Sequence, residues 1–206
     1  MEINVIYVIV FREFKRFTRE RSRMFAAVAR PLIWLFFVGS GMSKLISYGS
    51  GMTYMQFIFP GILGMTILFS SIFSSLSIIW DREFGFMKEM LVAPISTTSI
   101  VIGKGMSGSL IATFQAVVVL ACFPIIGFKL GVFKIVTTIA VCILLSFCIS
   151  LIGIIVASFF KSFESFSVIM NFIVMPMFFL SGAMYPVKTL SHILKIGTIL
   201  NPLTYG

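Results

Sequence analysis

The sequence predicts an all-α membrane protein: a polytopic bundle of five spans, led by an interfacial helix and followed by a short outer re-entrant region. Three observations predict it. The 206 residues are 59% hydrophobic and 11% charged, whereas soluble domains are about 45–50% apolar and about 25% charged. Residues 45–80, 105–128, 135–160 and 165–187 carry no charged side chain, and about 20 apolar residues suffice to cross the hydrocarbon. The Lys and Arg residues are shared unequally between the connecting segments, as topology requires.

Residues 1–24 read as an amphipathic helix. Ile6, Val10, Phe14 and Phe17 repeat at helical spacing, with Arg12, Arg16, Arg19 and Arg23 opposite. One apolar and one basic face suit a helix lying in the membrane interface. Charges follow the apolar stretch at residues 3–11, the reverse of a secretory leader, so no cleavage is expected. The first span is read at 26–46. Only 31–43 is free of charge there, but Arg30 and Lys44 are long enough to snorkel to opposite surfaces.

The remaining spans are read at 57–80, 105–128, 135–160 and 166–187. With the N-terminus inside, segments 1–30, 80–104 and 161–164 hold seven, three and one Lys/Arg; outer segments hold five. That bias places the N-terminus in the cytoplasm of a cell-membrane protein. The net charge of +9 is then topological, and no nucleic-acid surface is implied. Cys122, Cys142 and Cys148 fall within the expected spans as small hydrophobes. Pro176 interrupts the last run. Residues 180–204 are read as an outer re-entrant region, in which 191–200 is too short to cross.

The missing chemistry narrows function. Expected spans two to five hold no Asp, Glu, His, Lys or Arg, which argues against a proton or ion relay. The only histidine is His192. No catalytic triad, paired carboxylates or metal-ligand spacing is available. "GKG" at 103–105 lacks the upstream glycine and following Ser/Thr of a phosphate loop. The chain is therefore expected to bind no cofactor and to be no enzyme. Uphill transport would draw energy from a cytoplasmic partner.

"WDREFGFMKEMLVAP" at 80–94 is the candidate docking element. It holds five of the 23 charged residues, between two charge-free runs. Asp81 can cap a new helix. Phe84, Met87 and Leu91 fall at i, i+3 and i+7, with Arg82, Glu83, Lys88 and Glu89 around them. Pro94 disfavours helix at Ala93. Ser96, Thr97 and Ser99 can cap the next span. A short amphipathic helix over 81–93 is expected, seated either in a protein groove or on lipid head groups.

These residues carry a resemblance. "WDREFGFMKEMLVAPISTTSIVIGK" (80–104) resembles the segment between spans two and three of ABC type-2 permeases, most nearly the daunorubicin-resistance and nodulation-factor export permeases. "RSRMFAAVARPLIWLFFVGSGM" is similar to that family's entry into span one, and "FIFPGILGMTILFSSIFSSLSIIWDRE" to span two. "FLSGAMYPVKTL" with "NPLTYG" resembles its outer hairpin. The likeness covers nearly the whole chain as one transmembrane domain, 1–206. It implies the membrane half of an exporter: two six-span permease copies, identical or close paralogues, with two separate ATP-binding subunits that hold the ATP. It also implies that 82–91 is the coupling helix docking on the ATPase through Arg82, Glu83, Phe84, Gly85, Met87, Lys88, Glu89 and Leu91. By that likeness the family's sixth span is absent from these residues.

Polar residues within the spans have two readings. Gly61, Gly64, Ser71 and Ser75 share one face, which suits close helix packing or a substrate path. Gln115 and Asn171 are the strongest mid-span polar groups, placed to bond across helices or to touch cargo. Two function classes follow. One is the permease subunit of an ATP-driven exporter, moving a drug-like, lipid or saccharide substrate outward. The other is a non-transporting membrane anchor or assembly protein that recruits a cytosolic partner through 81–93. A channel would need a ring of charge that the sequence lacks.

Overall fold

A computed structural model describes residues 2–43, 53–127, 131–160, 162–183 and 192–205. Helices dominate, and among the described residues there is no strand. Five helical segments are long and apolar enough to cross a membrane: Met24–Met42, Tyr54–Glu83, Thr97–Leu120, Val132–Phe159 and Phe163–Leu180.

Helix α1 (Ile3–Arg19) lies on the protein as well as beside the expected interface. Its buried residues are Ile6, Ile9, Glu13 and Phe17, not the expected Ile6–Val10–Phe14–Phe17 set. The stripe is rotated because α1 packs on α6 (Thr97–Leu120). Gly103 permits the approach: a Cβ there would come within 3.1 Å of the Ile9 side chain. Phe14 and Phe17 meet Phe114 edge-on at 6.2 and 6.4 Å. The Glu2 amide donates to Ser99 Oγ at 3.0 Å, fastening the start of α1 to the start of α6.

Helix α2 (Arg21–Ile33) passes through a π turn at Trp34–Val38 into α3 (Gly39–Ser43), making the first span. Pro31 lies inside α2 and has no N–H to offer the Ala27 carbonyl. The end of the expected span, 44–46, falls outside the described residues.

Helix α4 (Tyr54–Glu83) is the centre of the bundle, touching α6, α7 (Val132–Phe159) and α8 (Phe163–Leu180). At 30 residues and about 1.5 Å per residue, it exceeds a hydrocarbon core of about 30 Å. Thr53 begins it: the Thr53 amide donates to Gln56 Oε1 at 3.2 Å. Leu68, Ile72 and Ile79 of α4 join Ile149 of α7 and Phe166 of α8 in the core.

The third span is the main boundary correction. Charge-free length placed it at 105–128, but α6 runs from Thr97 to Leu120. Ser96 caps it, accepting from the Ser99 amide at 3.2 Å. Lys104 is thus two turns inside the helix instead of marking its edge, because buried carboxylates neutralise it. At the other end, Pro124 lies in a 3-10 turn at Phe123–Ile126, so Cys122 lies just beyond the span.

Helix α8 ends at Leu180, earlier than the expected 187; Gly182 then adopts φ +80. Part of the expected re-entrant region, 184–191, lies outside the described residues. Beyond it, α9 (His192–Leu200) leads to a 3-10 turn at Pro202–Tyr205. Asn201 ties this end down, donating from Nδ2 to the Met177 carbonyl at 2.5 Å and accepting from the Leu203 amide at 3.1 Å.

Candidate functional site

Asp81, Arg82 and Glu83 do not start the docking helix; they are the last turn of α4. The chain then turns at Phe84 and Gly85, and a separate helix α5 covers Phe86–Val92. Gly85 has φ +82, a conformation glycine adopts without the penalty of a Cβ. The expected cap is the cause of the difference. Asp81 is buried in an ion cluster, so its carboxylate is not free to cap the helix that follows. Ala93 is extended before Pro94, and α5 stops there as expected.

Met87, Lys88, Glu89 and Leu91 sit on α5, and no residue of α5 is buried. Phe84 is 75% exposed and Val92 86%; Phe86 and Leu91 are exposed as well. Arg82 has an internal task. Its guanidinium donates to the Phe160 carbonyl at 2.9 Å, closing the end of α7. The Arg12 guanidinium lies 5.7 Å from the Phe86 ring centre, so α1 reaches the base of α5.

Beneath the elbow is a buried cluster of charge. Lys104 Nζ donates to Glu13 Oε1 at 2.6 Å, to Ser77 Oγ at 3.1 Å and to Asp81 Oδ2. Arg12 donates to Glu13 at 2.8 Å and to Asp81 at 3.0 Å. Lys104, Asp81 and Glu13 are all buried, on α6, α4 and α1 respectively. Burial alone would raise the Glu13 carboxyl. The Lys104 charge and hydrogen bond, backed by Arg12, outweigh it and hold Glu13 below the usual carboxylate range. For Arg12, burial opposes the charge, yet hydrogen bonding and attraction to Glu13 and Asp81 keep its pKa above the ordinary value. From the sequence, Arg12 belongs to the basic face of the first helix, Asp81 is a helix cap and Lys104 an inner-segment charge, with nothing to join them. One local signal was available: Glu13 interrupts the apolar stripe Ile6–Ile9–Phe17.

The polar residues of the spans separate into two groups. Ser75 packs against α7: a Cβ on Gly153 would come within 2.9 Å of its hydroxyl, which itself donates to the Ile72 carbonyl at 2.5 Å. Ser71 is fully buried, and its hydroxyl has no partner among the described residues. Asn171 is exposed and bonds within its own helix, to the Ser167 carbonyl at 3.0 Å, rather than across helices. Only Gln115 of the four expected path residues faces the cavity between α2, α4 and α6, of about 300 Å³. The serines of α4 that line it are Ser70 and Ser74, one residue ahead of the predicted pair.

Comparison with known proteins follows the same outline. The family model described as ABC-2 type transporter matches residues 4–206. The chain is 30% identical to "Putative transport permease ycf38" of Cyanophora paradoxa, over 98% of this chain and 71% of that protein. It is 30% identical to "Probable multidrug ABC transporter permease YbhR" of Escherichia coli K12, over 77% of this chain and 43% of that protein. With "Inner membrane transport permease YadH" of the same organism the identity is 26%, over 83% and 68% of the two chains. No solved structure gives a significant match.

Proposed function

The chain belongs to the ABC-2 type transporter family, and from that premise we propose that it is the permease subunit of an ATP-driven exporter. Members of this family are membrane transport components and not enzymes in their own right. In this reading ATP is held by a separate ATP-binding subunit, and two permease copies, identical or close paralogues, enclose the path. The excess of Lys and Arg in segments 1–30 and 80–104 supports a cytoplasmic N-terminus and a cytoplasmic elbow in the cell membrane. The narrower likeness to daunorubicin-resistance and nodulation-factor exporters belongs to the same proposal.

The observation that carries this reading is the elbow. Phe84, Phe86, Leu91 and Val92 project from a segment that buries none of α5, and apolar side chains on a short helix fit a protein groove. Lys88 and Glu89 set register there. The elbow is held at its base by bonds to α1, α6 and α7, so a push on α5 reaches those helices. The cargo is drug-like, lipid or saccharide. The name of YbhR, with its reference to multidrug transport, supports the first of these.

The test is co-purification with the cognate ATP-binding subunit. Phe84→Asp should abolish association and leave membrane insertion intact, because Phe84 is exposed. Undiminished association of the variant would overturn the docking role. A membrane anchor would use the same helix, but would not show substrate-stimulated ATP hydrolysis in the reconstituted complex.

A further inference from the structure

The cavity beside α4 has a composition that exporter coupling does not require. Its outer wall is α2, through Ala26, Ala27, Arg30 and Pro31. Ala26 and Ala27 are too short to fill the gap opposite Phe69 and Phe73, whose rings stack at 6.2 Å. Met65, Leu76 and Ile111 add further apolar lining. The volume of about 300 Å³ is at the lower end of small-molecule sites. At about 30 Å³ per water-sized group, it admits about ten such groups.

Two polar features stand out against this lining. Gln115 is 96% buried and lines the cavity, yet among the described residues its amide has no hydrogen-bond partner. An amide left without a partner forfeits the hydrogen bonds that water gave it. A ligand group that supplies those bonds recovers the loss. The second feature is charge. Among the described residues Arg30 is the only charged one lining the cavity; it is exposed, with its guanidinium 5.7 Å from the Phe69 ring centre. It stands at the mouth, and among the described residues no carboxylate lines the cavity to oppose an anion.

We propose that this cavity binds a single-chain anionic amphiphile of the lysophospholipid type. Arg30 holds the head-group anion at the mouth. The Gln115 amide takes the ester and hydroxyl groups of the linker, since it can donate and accept at once. The first methylenes of the chain lie on Phe69, Phe73 and Met65, and the rest of the chain extends out of the cavity into the bilayer. The residues that the site uses all belong to one chain. Its failure would leave the exporter reading standing.

The full chain in phosphatidylcholine nanodiscs, with lysophosphatidylglycerol bearing a diazirine in its chain, provides the test. Cross-links should concentrate at Phe69 and Phe73. Gln115→Leu and Arg30→Gln should each lower that labelling about tenfold, with labelling of the exposed Leu144 and Phe172 unchanged. Ala27→Phe fills the cavity from the peripheral helix without touching the α4–α6 contact, and should give the same loss. It keeps the test valid if Gln115→Leu misfolds. An uncharged monoacylglycerol probe of equal chain length should label the site weakly. Competition by lysophosphatidylglycerol but not by palmitate identifies a phospholipid source, and the reverse a free fatty acid. Equal labelling of wild type and all three variants would overturn the proposal, as would equal labelling by the charged and uncharged probes.

Discussion

The connection between α4 and α6 has two parts with opposite characters. Its two ends, Asp81 and Lys104, are buried and bonded to each other, and Glu13 of α1 joins them. Its middle, Phe84 to Val92, exposes Phe84, Phe86, Leu91 and Val92, and none of its residues is buried. A flexible loop would dissipate a push at its tip. A loop clamped at its base passes the displacement to the helices that hold it, and a burial-free tip costs the bundle nothing when a partner covers it. Stability and recognition are thus separated within about 25 residues of the same segment.

That separation is most severely tested by Lys104→Met. It leaves the buried Glu13 and Asp81 carboxylates with only the half-exposed Arg12 as counter-charge, and losing one partner of a buried ion pair costs about 3–5 kcal/mol. Thermal unfolding of the purified chain should show it as a large drop in Tm. Replacing Glu13 and Asp81 with Leu in the same variant should restore most of the loss, since apolar residues of similar volume often serve as well as a buried ion pair.

Acid gives a graded version. The Glu13 carboxyl is held below its usual range, so its contribution is full above the unfolded pKa of about 4.3. It is lost as pH falls through the lower folded value. The Tm of the purified chain should begin to fall below about pH 4. Glu13→Gln should remove that dependence.

Smaller effects belong to the elbow. Gly85→Ala meets no atom within 4 Å, so only the backbone conformation at φ +82 is penalised, by about 1–2 kcal/mol. That penalty falls on the elbow, so ATPase affinity should drop by about tenfold while the Tm of the bundle stays within about 2 °C. Smallest of all, Val92→Ser should shift stability by less than about 0.5 kcal/mol. If Val92→Ser unfolds the protein, the tip is not separate from the base.

The sequence carried the number of spans well, because long charge-free runs have few other uses. It was weaker wherever charge is compensated in space. Lys104 looked like a boundary, and α6 was placed two turns late, because its partners lie 91 and 23 residues away. The same blindness made Asp81 a cap and hid the elbow, although Gly85 between two phenylalanines marked the place. In α1 the helical period was right and the phase wrong: a carboxylate occupied the inward position. At the cavity, Gln115 was legible as a buried mid-span amide. Ser70 and Ser74 were not distinguishable from Ser71 and Ser75, since the four serines lie within six residues and share one broad face of about 140°.

The first span bears one further mark. Its π turn at Trp34–Val38 accommodates an added residue, and each residue turns an α-helix by about 100°. The stretch before the turn presents Ala27, Arg30 and Pro31 to the cavity; after it, Gly39 comes up against Met55. The span therefore carries two azimuthal phases on one axis.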